Sequence, residues 1–314
     1  MIDVPLILGG LVVGGVVGLT GMGGGALMTP MLIFIFRIDP LTAVSSDVVA
    51  SMFMKPAGAV VHLRQRTVNL RLVGWLCLGS VPAAFCGAML IQHLPFQEDL
   101  GDVLKTALGA ALLLASLGLV VRAYINLRRT HSMLGEGPAA PERAEVVVRP
   151  VPTVILGAIA GLMVGLTSVG AGSIVIVILL MMYPALKASQ VVGTDLVQAV
   201  PLVAAASLGH IFYGDLDLWV TISLLIGAIP GAWLGAKASA RVPGGLIRRL
   251  LAVLLLATSL KLLGASLAVV VVSVLVALVV GTVAWELSKR RVISASRAAV
   301  PSTTRGEDPA KKGS

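Results

Sequence analysis

Charged and aromatic residues are scarce in this chain of 314 residues. Asp, Glu, Lys and Arg make up 12% of it and Phe, Trp and Tyr make up 4%, whereas 57% is hydrophobic. A soluble domain of this size could not bury so much apolar surface, but a lipid bilayer requires it. The composition therefore excludes a soluble globular protein and indicates an integral membrane protein.

Cysteine is nearly absent, and the two that occur, Cys77 and Cys86, lie in one apolar run. Neither belongs to a CxxC pair or to a Cys/His spacing that could hold a metal ion, so buried free thiols are expected. The sequence also lacks HExxH, GxSxG and ATPase motifs. We therefore expect no catalytic residues, no metal and no cofactor, and the chain is not predicted to be an enzyme.

Acidic residues are outnumbered, with 15 Asp and Glu against 24 Lys and Arg, for a net charge of +9. Such a balance in a soluble protein would suggest nucleic-acid binding. Here most cations lie in short stretches between apolar runs, and no basic patch is interleaved with aromatic residues. The positive-inside rule of membrane topology explains them better, so nucleic acid is not an expected partner.

The sequence contains an internal repeat with an offset of 147 or 148 residues. The glycine-rich stretch 18–25, GLTGMGGG, returns as GLTSVGAG at 165–172. Other matched pairs are Asp47 with Asp195, His62 with His210, Asn69 with Asp217, Pro82 with Pro230, and Gly87 with Gly235. Two copies of a hydrophobic unit, each opening with a glycine-broken segment, indicate a membrane transporter whose site lies between the repeats.

Most apolar segments have the length of one membrane span, about 20 residues. Two others, 4–37 and 151–184, are longer than one span and are interrupted by the glycine motifs. Each of their arms is too short for a full crossing, so both segments are predicted to be bent, re-entrant hairpins. The predicted single spans are 41–63, 70–92, 103–123, 188–212, 217–239, 247–263 and 265–286.

Loop charges indicate that the two repeats are inverted. The connection after His62 is basic, whereas the equivalent connection after His210 is acidic. Because basic loops face the cytoplasm, the same element faces opposite sides in the two copies. This assignment places the N-terminus outside and the C-terminus in the cytoplasm, in a multi-pass protein of the cytoplasmic (inner) membrane.

The predicted fold is therefore an all-α, polytopic integral membrane protein of two inverted repeats. Each repeat has one glycine-broken re-entrant hairpin and three spans, and one extra C-terminal helix follows. The predicted units are a first repeat (1–123), a cytoplasmic linker (124–149), a second repeat (150–264), the extra transmembrane helix (265–287) and a disordered basic tail (288–314).

The glycine clusters are candidate substrate-binding elements. A broken helix exposes backbone N–H groups that can bind an anion, and glycine lets the ligand approach them closely. The alternative is that the small residues only allow close helix packing. The candidate substrate-binding residues are Thr20, Gly21, Gly23, Gly24, Gly25, Thr167, Ser168, Gly170, Gly172 and Lys55.

Asp47 and Asp195, with His62 and His210, are the candidate coupling or gating residues. The two carboxylates lie about 10 Å inside their helices, where acidic residues are costly and often functional; they could carry a coupling proton or brace the neighbouring broken helix. The histidines could relay protons or anchor helix ends. Lys55 could attract an anion or extend towards the inner interface.

The motifs together resemble the TauE/SafE family of sulfite exporters. The similar elements are the paired glycine stretches, Gly193-Thr194-Asp195-Leu196, the Gly209-His210 region and Gly227-Ala228-Ile229-Pro230, and the resemblance covers about 6–264. It implies a transporter of small anions, with sulfite, sulfonates and other organosulfur compounds as typical cargo. The second copy departs from the first in having Ser168 and Ala171 in place of Gly21 and Gly24.

The resulting hypothesis is a secondary transporter or exporter of a small anion that works by alternating access between the repeats, with a proton as a possible coupling ion. A passive anion channel is the alternative within transport. A scaffold or sensor subunit that uses the linker and tail is the alternative outside transport.

Overall fold

The computed structural model describes residues 3–20, 24–93, 99–135, 147–169, 172–183, 186, 188–239, 244–279 and 281–282. Several predictions fall on residues outside this part of the chain. These are the proposed site residues Gly21, Gly23 and Gly170, the middle of the linker at 136–146, and the tail 288–314.

All regular structure in the described residues is α-helical, so the predicted all-α membrane fold is confirmed. Within the part of the chain that the structure describes, five helices are long and apolar enough to cross a bilayer. The helices are α1 (Val4–Thr20), α2 (Gly25–Phe34), α3 (Pro40–Arg64), α4 (Leu70–Gln92), α5 (Leu100–Gly135), α6 (Pro150–Thr167), α7 (Gly172–Met182), α8 (Ala188–Tyr213), α9 (Leu218–Ser239), α10 (Gly244–Leu262) and α11 (Leu267–Val279).

The outer surface of the bundle is apolar. Leu8 and Val12 on α1 are 56% and 67% exposed, and Ile155 and Ile159 on the repeat-related helix α6 are both 54% exposed. Soluble proteins rarely present apolar surface in this way, whereas lipid acyl chains cover it at no cost. These helix faces are therefore the expected lipid-facing surface.

Both glycine-broken segments fold back on themselves. A Cβ at Gly9 in α1 would lie 2.9 Å from the Met31 Sδ in α2. In the second repeat, Thr153 at the start of α6 and Tyr183 just after α7 form a hydroxyl–hydroxyl hydrogen bond of 2.7 Å. The end of each second arm thus returns to the beginning of its first arm, which confirms the two predicted re-entrant hairpins.

The first arm of each hairpin packs against the other repeat, in parallel. A Cβ at Gly10 would lie 2.8 Å from the Leu224 carbonyl oxygen, and one at Gly14 would overlap the Ala228 carbonyl oxygen, so α1 and α9 advance in the same direction. Glycine permits this backbone-to-backbone approach. The repeat-related pair, α6 and α4, is built in the same way, with Gly157, Gly161 and Gly165 against Leu76, Ser80 and Ala84.

Helices that correspond to each other in the two repeats run antiparallel. In the α3–α8 pair, Ser45 contacts His210, whereas Gly58 lies near Leu196. In the α5–α10 pair, Gly109 lies beside Leu263, whereas Ser116 donates a 2.9 Å hydrogen bond to the Ala252 carbonyl oxygen. Repeats of the same orientation would make these pairs parallel. The contacts therefore confirm that the repeats are inverted.

The glycine contacts between α4 and α6 predict a position-specific sensitivity. Gly79→Ala places its Cβ against the Val154 carbonyl oxygen, whereas Gly74→Ala, on the same helix, meets nothing within 4 Å. Overpacking of this kind costs about 1–3 kcal/mol, while alanine in an open helical position changes stability by about 1 kcal/mol in the favourable direction. Thermal unfolding of the detergent-solubilised protein should show a lowered Tm for Gly79→Ala alone. Equal Tm values would contradict the packing.

Candidate functional site

The interruptions of the two repeats meet inside the bundle. Gly25 begins α2 in the first repeat, and Ser168 ends α6 in the second. A Cβ at Gly25 would overlap the Ser168 carbonyl oxygen and lie 3.0 Å from the Ser168 Oγ. The glycine at this position is therefore needed for the direct contact between the two breaks.

Ser168 has a left-handed backbone with φ 55°, and its N–H closes α6 on the Val164 carbonyl oxygen. This conformation costs a residue with a Cβ about 1–2 kcal/mol. The Ser168 hydroxyl donates a 3.0 Å hydrogen bond to the Asp47 Oδ2. The strained turn thereby directs a side chain of the second repeat to the buried carboxylate of the first.

Asp47 is fully buried and accepts hydrogen bonds from three hydroxyl groups. Thr29 of α2 and Ser168 both donate to its Oδ2, and Ser51, one helical turn further along α3, donates to its Oδ1 at 3.4 Å. Asp47 of α3 therefore contacts both α2 of its own repeat and the turn at Ser168 of the other repeat. Its Oδ1 also lies 4.0 Å from where a Cβ of Gly24 would be, beside the N-terminus of α2.

Asp195 occupies the repeat-related position with different partners. Its Oδ1 accepts a 3.2 Å hydrogen bond from the Gln198 side-chain amide, whose oxygen in turn accepts from Ser80 of α4. Its Oδ2 lies 3.1 Å from where a Cβ of Gly172 would be, at the first residue of α7. Each carboxylate thus lies at the N-terminus of the second arm in its own repeat, where a negative charge is stabilised by the helix dipole.

Lys55 is half-buried on α3 and interacts electrostatically with both Asp47 and Asp195. Arg122 of α5 acts on Asp195 as well. Lys55 therefore contributes positive charge to the region that contains both carboxylates. Both interpretations of Lys55, as an anion-attracting group and as an interfacial anchor, stay predictions.

The two histidines have unequal surroundings. His210 is fully buried, and its Nε2 donates a 2.8 Å hydrogen bond to the Gly165 carbonyl oxygen, so its Nδ1 accepts from Ser45 at 2.9 Å. His62 is half-buried and its Nδ1 lies 2.9 Å from the Thr67 Oγ1. His210 therefore connects α8 to α3 and to the last turn of α6, whereas His62 stabilises the end of its own helix.

Thr167 uses its hydroxyl within its own segment. The hydroxyl donates to the Met163 carbonyl oxygen at 2.6 Å and accepts the Val169 N–H at 3.3 Å. Thr20 is the last residue of α1, next to the first break. In the described residues no three His, Cys, Asp or Glu side chains lie together in a manner that could hold a metal ion.

Sequence reasoning missed Thr29 and Ser51 as partners of Asp47. Ser51 could have been found, because residues four apart share a face of an α-helix. Thr29 is a polar residue in the otherwise apolar arm α2, which is also a signal. Its partner, however, lies on another helix and cannot be assigned from spacing.

Inverted repeats whose broken helices meet at buried charges define a polytopic membrane transport protein. The sequence profile of the family described as "Sulfite exporter TauE/SafE" matches residues 6–262. The chain belongs to this family.

Three relatives from Bacillus subtilis (strain 168) bear the description "probable membrane transporter protein". YjnA is 36% identical over 262 residues, which cover 83% of this chain and all of YjnA. YdhB is 26% identical over 76% of this chain and 91% of its own length, and YunE is 23% identical over 76% and 88%. No solved structure is significantly similar to the chain.

The contact between the breaks predicts opposite outcomes for neighbouring glycines. Gly25→Ala forces a Cβ into the Ser168 carbonyl oxygen, whereas a Cβ at Gly24 would lie at an ordinary 3.6 Å from the Ser51 Oγ. We expect Gly25→Ala to lower the Tm of the solubilised protein and its transport rate, because the backbones must separate. Gly24→Ala should retain a Tm close to that of the wild type. A Gly25→Ala variant as stable as Gly24→Ala would show that the two breaks do not touch.

Proposed function

We propose that this protein is a secondary transporter that moves a small anion across the cytoplasmic membrane by alternating access between its inverted repeats. Sulfite, sulfonates and other organosulfur anions are the first candidates for the substrate, because the family is described as sulfite exporters. The observation that carries the proposal is the meeting of the two breaks at Gly25 and Ser168. Secondary transporters with inverted repeats bind substrate at such places.

The charges around the breaks support an anion as the substrate. Lys55 and the N-termini of α2 and α7 are attractive to an anion, while Asp47 and Asp195 occupy these same helix ends. With these three side chains and Arg122 of α5 all ionised, the four charges cancel. An anion therefore binds more favourably when a carboxylate moves away or becomes protonated, which links anion binding to a second event.

The α3–α8 pair and the connections that follow these two helices supply two sets of contacts that alternating access breaks in turn. At one end, the Thr42 hydroxyl donates to the Asp215 carboxylate, and Ser45 bonds to His210. At the other end, the Asn69 N–H donates a 3.1 Å hydrogen bond to the Thr194 hydroxyl. In the proposed mechanism, one set separates while the other holds, so that the central region opens to one side at a time.

The proposal is tested by flux into proteoliposomes with sulfite, methanesulfonate and acetate as labelled probes. We expect flux of the sulfur oxyanions, and we expect Lys55→Met to raise the half-saturating concentration about tenfold, because one lost charge interaction of about 1.4 kcal/mol changes affinity by that factor. The control Lys105→Met removes an exposed lysine that pairs with Asp102 at 2.8 Å.

Absence of flux for every probe would refute the proposed function. Equal half-saturation for Lys55→Met and Lys105→Met would remove Lys55 from the site. Flux that never becomes concentrative under a proton gradient would favour the passive channel over the secondary transporter.

The proposed orientation is tested with compartment-sensitive reporters fused after residues 66 and 214. These positions lie just after the ends of α3 and α8. Because the two helices run antiparallel, the reporters should lie on opposite sides of the membrane. The positive-inside rule places the reporter after residue 66 in the cytoplasm, because Arg64, Arg66 and Arg71 surround it. Reporters in the same compartment would overturn the topology.

A further inference from the structure

The two repeat-related carboxylates are in chemically different surroundings. Asp195 is bonded by the Gln198 amide and has both Lys55 and Arg122 as cationic neighbours. Asp47 is bonded by three hydroxyl groups, and its cationic neighbour is Lys55, which it shares with Asp195. The fold is nearly symmetric about the breaks, but the side chains that contact the two carboxylates are not.

This difference decides which protonation states each site can accommodate. The Gln198 N–H only donates to Asp195, since the oxygen of the same amide accepts from Ser80, and the positive charges of Lys55 and Arg122 attract an ionised carboxylate. These neighbours suit an ionised carboxylate and offer no acceptor to a protonated one. A hydroxyl group can donate or accept, so it suits either form. The surroundings of Asp195 therefore favour one state, whereas those of Asp47 are compatible with both.

The helices packed around Asp47 bring few other titratable groups. The sequences of α2 and α6 contain none. On α8, besides Asp195, His210 is already bonded to Ser45 and to the Gly165 carbonyl oxygen. On α9, Asp217 bonds to backbone N–H groups at the start of the helix, and Lys237 lies over the Trp233 ring near its end. On α5, Arg122 acts on Asp195.

We propose that Asp47, and not Asp195, is the carboxylate whose protonation is coupled to anion transport. The inference rests on the proposed function and names the coupling group of that site. The proton enters Asp47 from water on one side and leaves to water on the other, so no further reactant is needed. Asp195 remains ionised and holds the start of α7.

Protonation of Asp47 has two consequences for the break region. It removes the negative charge at the N-terminus of α2, which becomes available to the anion. It also converts the Ser168–Asp47 hydrogen bond from charge-assisted to neutral, which makes it about half as strong. Since Ser168 belongs to the other repeat, the same event loosens the contact between the repeats. Proton and anion therefore load together, and the direction of coupling is cotransport.

The test is methanesulfonate flux into proteoliposomes, because this strong-acid anion keeps its charge at all the pH values used. The readout is the ratio of uptake under an inward proton gradient to uptake at equal pH on both sides. One pH unit can drive up to about tenfold accumulation for one proton per anion. We expect a raised ratio for the wild type and for the exposed control Asp102→Asn, and a ratio of one for Asp47→Asn. Asp195→Asn should slow uptake under both conditions, because the start of α7 loses its charge, but it should keep a raised ratio.

Infrared difference spectroscopy on acidification gives a second readout that needs no transport. Exposed carboxyl groups give C=O bands in every variant, so the readout is the band of the wild type that is retained in Asp195→Asn and missing from Asp47→Asn. Persistence of that band in Asp47→Asn, a gradient effect lost only in Asp195→Asn, or wild-type uptake indifferent to the gradient would overturn the assignment. Absence of wild-type uptake of methanesulfonate, sulfite and acetate with the infrared pattern intact would refute the anion-transport function while leaving Asp47 as the titrating group.

Discussion

A helix that stops inside a bilayer leaves backbone N–H and C=O groups that lipid cannot satisfy, and this constraint governs the whole structure. The two interrupted segments meet it by lying against each other, with Gly25 in contact with Ser168. Asp47 and Asp195 then lie at the N-termini of the half-helices α2 and α7. The buried carboxylates and the exposed N–H groups at the helix breaks therefore stabilise each other, since each reduces the free-energy cost of burying the other.

The same constraint explains why the repeats are interlocked. The first arm of each hairpin packs against a helix of the other repeat, in the parallel pairs α1–α9 and α4–α6. Glycines at Gly14 and Gly161 bring backbones into contact in these pairs, so packing rather than side-chain chemistry holds them. Because each break is attached to a helix of the opposite repeat, relative movement of the repeats must displace the breaks. Transport and the integrity of the fold therefore depend on the same contacts.

The sequence could predict the features that depend on the order and spacing of residues along the chain. The constant offset identified the repeat, the glycine interruptions identified the hairpins, and the charges that follow His62 and His210 identified the inversion. It could not predict which helix supports which break, because this depends on contacts between residues more than a hundred positions apart. The Ser168–Asp47 bond joins residues 121 apart.

The inverted repeat also requires that chemical differences be confined to a few positions. Two states of opposite access have similar energies only if the scaffold is nearly the same when its halves exchange roles, and the antiparallel α3–α8 pair provides this. The partners of Asp47 depart from that symmetry: the offset pairs Thr29 with Ile176, Ser51 with Ala199 and Ser168 with Gly21. Thr29 and Ser51 occur only in the first copy and Ser168 only in the second, so none of the three hydroxyl groups has a counterpart at its repeat-related position. Such a distribution keeps the balance between the states while giving one carboxylate a chemistry that the other lacks.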